Sequence, residues 1–558
     1  MMKGMVVKMK DNNKFRLDIW GFISIGVILV YGLFLLYPLL HLMKQSIIDP
    51  ETGALSLTYF AKFFSKKYYF GTLFNSFKIS LTTTVISLIL GTIIAYLFAR
   101  YEIKGKGLLS ILIVIASMSA PFIGAYSWIL LLGRSGVITT FFKNFGIIIP
   151  DIYGFVGIVL VLVMQLFPLV FLYVRGALKN VDNSLLEASQ NLGCSGARCF
   201  IKIVLPIIIP TLLASGLLVF MRAFADFGTP MLIGEGYRTF PVVLYNEFIS
   251  EVGGDDGFAA AIAIIAIAIT TLVFLMQKYV GNRKSFSMNS LHPIEEKKAN
   301  GFYNTFIHSF VYLVIGIAIL PQVYVIYTSF KNVRGKIFVE GYSFNSYVSM
   351  VDKLGKSIQN TIIIPIVSLI FILFLAILIA YLVVRRRNPV TNIIDVFSMI
   401  PYIIPGTVLG IALLISFNKK PLLLSGGMLI MVVALIIRRL PYTIRSSVAI
   451  LQQIPMYIEE AAISLGASKM KTFYKITVPM MAPGILSGAI LSWVTMISEL
   501  STAIILYTGK TKTLTVAIYT EVIRGNYGIA AALSTVLTVL TVGSLLIFNK
   551  ISNGRDIG

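Results

Sequence analysis

Twelve stretches of this chain are apolar over more than the roughly 17 residues that a helix needs to cross the hydrocarbon core of a bilayer. They centre on about 20–43, 74–99, 107–132, 152–175, 203–224 and 257–280, and again on about 306–328, 360–384, 393–416, 421–440, 476–498 and 526–548. Inside hydrocarbon every backbone N–H and C=O has to find its partner within the protein, so runs of this length are read as helices. The chain is therefore expected to be an all-α polytopic membrane protein with about 12 transmembrane helices. Composition agrees, since only 13% of the 558 residues are charged, against about a quarter in soluble domains. The first run has no small-residue cleavage site and is expected to be a retained span, not a cleaved signal peptide.

The net charge of +23 would point to nucleic acid in a soluble protein, but here it fits a membrane rule: Lys and Arg gather on cytoplasmic loops. With the N-terminus inside, the inner segments hold Lys3, Lys8, Lys10, Lys14, Arg16, Arg100, Lys104, Lys106 and Arg385–Arg387. Both chain ends are then cytoplasmic, and no nucleic-acid partner is expected. About 28 of the 47 basic residues fall inside, a moderate bias, because long outer loops at 44–73 and 329–359 count less in this rule.

The twelve runs form two sets of six. Asn75-Ser76, Ala95-Tyr96-Leu97 and Arg100 recur as Asn360-Thr361, Ala380-Tyr381-Leu382 and Arg385, at an offset of 285. The polar stretch 281–302, with Glu295-Glu296-Lys297-Lys298, reads as a linker. The expected division is a first transmembrane domain at 1–280, a cytoplasmic linker at 281–302 and a second transmembrane domain at 303–558. Six spans per half make both halves enter the membrane in the same direction, a parallel repeat.

Between the fourth and fifth runs of each half lies a polar insertion, at 182–206 and 455–479. The first reads Glu187-Ala188-Ser189, Gly193, Ile203 and Leu205-Pro206; the second reads Glu460-Ala461-Ala462, Gly466, Ile476 and Val478-Pro479, at an offset of 273. The shorter offset leaves about twelve extra residues in the first half, placed most simply in the loop around 133–151. Ser184-Leu185-Leu186-Glu187 has the form of a capping box, Pro455 suits a first helical turn, and Gly193 and Gly466 suit a left-handed C-terminal cap. Each insertion is expected to be a short helix, a Gly turn and a second basic helix, a peg for a partner's groove. Ordinary interfacial helices would not require two copies with one spacing.

These two copies resemble the E-A-A…G…I-x-L-P loop of binding-protein-dependent ABC importer permeases, and the resemblance covers essentially the whole chain, once per half. Ser189 in the first copy and Val478 in the second depart from the pattern. The resemblance implies a type I importer fold. It implies coupling helices carrying Glu187, Ala188, Gly193 and Pro206, and Glu460, Ala461, Gly466 and Pro479, each seated on one of two ATP-binding cassette ATPase subunits. It also implies an extracytoplasmic solute-binding protein, lipid around the spans and a bacterial plasma (inner) membrane location. The chain is expected to be no enzyme and to bind no cofactor, with ATP used by a partner subunit. Gly509-Lys510-Thr511 lacks the upstream Gly of a P-loop, Ile504 standing in its place.

A second repeated element follows each fifth run: Asp226-Phe227-Gly228-Thr229 in the first half, Glu499-Leu500-Ser501-Thr502 in the second. Asp226 and Glu499, with Tyr245 and Tyr519 downstream, are the candidates for a translocation path, since an acid near a span end is costly unless it faces a cavity or partner. A structural role, capping or pairing with Arg222, is the competing reading. The chain resembles most the fused ferric-iron-type permeases, which makes ferric iron the expected cargo. Importers of 2-aminoethylphosphonate, thiamine and polyamines stay open, as does an ion-gradient-driven secondary transporter. No resident metal site is expected: His41, His292 and His308 are scattered, and Cys194 and Cys199 have no His beside them. A disulfide between them is not expected on a reducing side.

Overall fold

The computed structural model describes residues 18–49, 53–118, 121–194, 196–249, 255–283, 292 and 294–551. The N-terminal basic cluster and linker residues 284–291 and 293 lie outside the described residues. Among them, the fold is all-helical apart from one two-stranded hairpin, Lys331–Arg334 with Ile337–Tyr342. Among the described residues, ten helices are long and apolar enough to cross a membrane, and eleven if Pro389–Ile403 and Gly406–Ser416, bent by 110°, are taken as one broken span. The remaining position of the expected twelve is held by Met428–Gln453, 26 residues long. At 1.5 Å per residue it is long enough to span, but Arg438 and Arg439 near its middle and Arg445 beyond interrupt its apolar run.

The third span differs from its expected form in both halves. In the first half the expected stretch holds the shorter helices Lys106–Met118 and Pro121–Leu132, followed by Val137–Asn144, and the span-length stretch there runs over Phe122–Asn144. Val137–Asn144 occupies the loop expected to hold the first half's extra residues. The second half breaks between Ile403 and Gly406, where Pro405 precedes the new helix. A proline cannot donate to the turn before it, and its ring crowds the carbonyl four residues back.

The same chemistry explains three π-helical turns, Gly32–Leu36, Phe200–Val204 and Phe473–Thr477. Each is followed by one residue and then by a proline: Pro38, Pro206 and Pro479. The residue before each proline donates its N–H five residues back, from Tyr37 to Gly32 O, Leu205 to Phe200 O and Val478 to Phe473 O. The wider turn makes room for the carbonyl that the ring would strike. In both polar loops, the motif's terminal proline thus sets the shape of the entry into the fifth span.

Two compact units are present, and they cut across the sequence halves. One holds the chain up to Leu40, 364–402 and 432–496. There the first span packs on second-half helices: the Trp20 ring lies 4.5 Å from Tyr381 and 5.2 Å from Phe473. The other holds 41–363, 403–431 and 497–558. There Gly301–Ser329, the first span of the second half, packs on Lys106–Met118 and Pro121–Leu132. Each half therefore lends its first span to helices of the other, an exchange that the repeat in the sequence does not disclose.

Candidate functional site: a doubled polar loop and a doubled helical pair

In the first polar loop the helix runs over Asn183–Asn191. Its cap is Asp182, whose Oδ1 accepts the Ser184 N–H at 2.9 Å. The expected capping box at Ser184 is thus not formed, because the helix begins before it. Glu187 instead accepts from the Asn183 side chain at 2.7 Å, one turn back on the same face. In the second loop the helix runs over Tyr457–Ser464, just after Pro455, with Glu459 and Glu460 in its first turn. Acids there complement the positive end of the helix dipole.

Both helices stop in the same way. Gly193 and Gly466 take positive φ, +81° and +88°. Gly193 N–H donates to Gln190 O and Cys194 N–H to Ser189 O, each at 2.9 Å. In the second copy, Gly466 N–H donates to Ile463 O at 2.9 Å and Ala467 N–H to Ala462 O at 3.0 Å. These paired bonds are a Schellman cap, for which a left-handed glycine is the usual residue. A Cβ on either glycine would meet nothing within 4 Å. Around each cap the surface is open: Glu187, Ala188, Glu460 and Ala461 are exposed, and Leu192 and Leu465 are 88% and 90% exposed. An apolar side chain held out in the same place twice is the kind of exposure that marks an interaction site.

What anchors the helices differs. In the second copy Glu459 is buried, with Arg385 Nε at 2.9 Å, while Arg385 Nη2 also donates to Ile454 O at 2.7 Å. The equivalent of Glu459 in the first copy is Leu186, buried in the apolar core. Ser189, the departure from the expected alanine, is accommodated by a local pair: its Oγ donates to Leu186 O at 2.8 Å and lies 3.0 Å from Cys199 Sγ. Beneath each loop a tyrosine of span two meets the first residue of the π turn, Tyr96 with Phe200 at 4.5 Å and Tyr381 with Phe473 at 4.9 Å.

The second repeated element is equally matched. Asp226 Oδ2 accepts the Thr229 N–H and Glu499 Oε1 the Thr502 N–H, each at 3.0 Å. Both acids thus cap the helical turn after the fifth span, the capping form of the structural reading. Next come short apolar helices, Phe240–Ile249 with Tyr245 and Leu514–Ile523 with Tyr519. Their starts are fixed by the repeated dipeptide of span two. Ser76 Oγ accepts the Phe240 N–H at 2.8 Å, and Thr361 Oγ1 the Leu514 N–H at 2.7 Å. Asn75 donates to Arg238 O at 3.0 Å, and Asn360 to Lys510 O and Lys512 O at 3.0 and 2.9 Å. The Tyr245 and Tyr519 rings from the two halves both meet buried Phe227, at 4.7 and 6.2 Å. Close packing holds this region: a Cβ on Gly410 would come within 2.9 Å of Ile505 Cβ.

The structure thus brings Tyr245 and Tyr519 together through Phe227 and gives Asp226 and Glu499 the same local task. The roles of Asn183, Glu459 and Phe227 were not evident from the sequence. Of these, the Leu186/Glu459 exchange was within reach, since the 273 offset aligns the two positions.

A multi-span helical protein with two matched polar loops and two matched helical pairs has the architecture of a transport permease. The chain belongs to the binding-protein-dependent transport system inner membrane component family, whose profile matches residues 69–286 and 372–554. It is 26% identical to the ferric transport system permease protein FbpB of Actinobacillus pleuropneumoniae, over 98% of this chain and 79% of that protein. It is 28% identical to a putative ferric transport system permease protein, FbpB 1, of Haemophilus influenzae, over 87% of this chain and 78% of that one. The molybdenum transport system permease protein ModB of Escherichia coli is 31% identical over 37% of this chain and 90% of its own length. A shorter permease is thus matched by part of this chain, as a fused double permease requires. The chain is a multi-pass inner-membrane permease of the ABC transporter class.

Proposed function

We propose that this chain is the transmembrane subunit of an ATP-driven importer, moving a solute delivered by an extracytoplasmic binding protein. The observation that carries this reading is the pair of identically capped, outward-facing loops at Gly193 and Gly466. Each is a rigid peg with an exposed leucine beside it, suited to a groove on an ATPase subunit. One chain supplies two pegs, so it recruits two ATPase subunits and needs no second permease. The polar loops and both chain ends face the cytoplasm in this reading, as the basic residues favour. The chain holds no cofactor of its own, and hydrolysis belongs to the separate subunits. Transport follows alternating access, with ligands at the two faces biasing two states.

Ferric iron is the proposed cargo. Supporting it are likeness to ferric permeases along most of the chain and oxygen-bearing side chains at the matched elements, Asp226, Glu499, Tyr245 and Tyr519. Oxygen ligands suit hard cations. The acids at span ends and the tyrosines beside Phe227 are the proposed path. Two measurements test the reading. Native mass spectrometry of the purified complex should give one copy of this chain with two ATPase subunits. Metal analysis of the cognate binding protein should find iron. A complex with two copies of this chain would refute the socket count, and a metal-free organic cargo would refute the substrate.

A further inference from the structure

The two pegs are fastened to the protein by different means. Arg100 and Arg385 occupy equivalent places at the end of span two, and both are buried or nearly so. Arg385 finds Glu459 inside its own motif helix. In the first half the equivalent of Glu459 is Leu186, and Arg100 turns to the inter-half linker, its Nη1 donating to Glu295 O at 3.2 Å. The linker continues along the chain that follows Arg100. Lys297 N–H donates to Arg100 O at 2.8 Å, and Glu102 N–H to Lys297 O at 3.2 Å. Lys106 pairs with Glu296, and Lys298 lies 3.8 Å from Glu102. Ile294 and Ala299 pack against the apolar core of this unit.

The same strand of linker reaches the first motif helix. Asn183 N–H donates to His292 O at 2.8 Å, and Asn183 Oδ1 accepts the Glu295 N–H at 3.5 Å. Asn183 also holds Glu187 through its Nδ2. Linker, Asn183 and motif glutamate therefore form one hydrogen-bonded chain. In the second copy the place of Asn183 is taken by Met456, which offers no such bonds. The bond to His292 O uses an N–H at the open N-terminus of the motif helix, which otherwise goes to a cap or water.

We propose that the linker, through His292 and Ile294–Lys298, is a positioning element of the first ATPase socket, so that the chain's two sockets are built differently. This rests on the reading of the motif helices as ATPase sockets. The linker does more than keep two halves on one chain: it sets the seat of the first peg, as the Arg385–Glu459 pair sets the second.

The test uses the full transporter with a photo-crosslinking amino acid at Leu192 or at Leu465, the two exposed positions beside the caps. Site-resolved crosslinking to the ATPase is read in three further backgrounds: Asn183→Ala; residues 294–298 replaced by five Gly and Ser residues, which keeps the halves joined; and Glu459→Ala. Both linker-side changes should lower the yield at position 192 at least threefold and leave position 465 unchanged. Glu459→Ala should do the reverse. Unchanged yield at 192 in both linker-side backgrounds, or equal loss at both positions, overturns the proposal. Absence of crosslinks at both positions with no further substitution overturns the socket reading itself, and this inference with it.

Discussion

Replacing Glu459 by Ala removes one partner of an ion pair whose side chains are both less than one-tenth exposed. At such burial solvent screens little, and stranding one charge of a buried pair costs about 3 to 5 kcal/mol. Arg385 would keep its bond to Ile454 O at 2.7 Å, which ties it to the turn before the helix and not to the helix. The loss should therefore be local to Tyr457–Ser464. At 1.4 kcal/mol per tenfold, amide exchange in that helix should quicken by about a hundred- to several-thousandfold, as measured by hydrogen–deuterium exchange in detergent or nanodiscs. Asn183–Asn191, held without this pair, is the internal control and should not change. Glu459→Gln keeps an acceptor and loses only the charge, for about 1 to 2 kcal/mol. Exchanging both partners for apolar residues, Glu459→Leu with Arg385→Met, should recover most of the loss, since apolar replacement of a buried pair is often neutral. The first copy already uses Leu at that place. A single-substitution effect below about 1 kcal/mol, or a double variant no better than Glu459→Ala, would refute the reasoning.

Three further outcomes are expected. Gly193→Val and Gly466→Val should each cost about 1 to 2 kcal/mol for a left-handed side-chain residue. Because nothing within 4 Å opposes the new Cβ, any larger fall, read as ATP-driven uptake against retained membrane insertion, reports a clash with the docked ATPase. Thr361→Val strands the Leu514 N–H, bonded at 2.7 Å, and should destabilise by about 1 to 3 kcal/mol; Thr361→Ser should restore thermal stability to near the parent value. Asp226→Asn with Glu499→Gln keeps both capping acceptors, and Asn caps about as well as Asp. That double variant should unfold within about 1 kcal/mol of the parent while ferric uptake drops at least tenfold; full uptake would leave the acids with capping alone.

Much of this fold was legible from residue order. The apolar runs announced helices, since a bilayer leaves a backbone few other options. Gly193 and Gly466 announced their caps because the left-handed conformation there suits few other residues. Capping was one of the readings open for Asp226 and Glu499, whereas the repeat of Asn75-Ser76 was visible as a pattern without its task. A serine that receives an N–H 164 residues away leaves no periodic trace. The capping box failed for a local reason: Asp182, two residues before Ser184, is itself a strong cap and starts the helix first. The break in the second half's third span was hidden because hydropathy averages over a kink. Exchange of first spans between the halves was hidden because apolar packing partners are interchangeable in composition and declare themselves only in three dimensions.

The central claim is that this chain moves its cargo only when powered through its two polar loops. Uptake of ferric iron into proteoliposomes measures that claim most directly. Vesicles holding the chain with its ATPase subunits, loaded binding protein outside and ATP inside should accumulate iron, and vesicles holding the chain alone under a proton or sodium gradient should not. Gradient-driven accumulation by the chain alone would contradict the account.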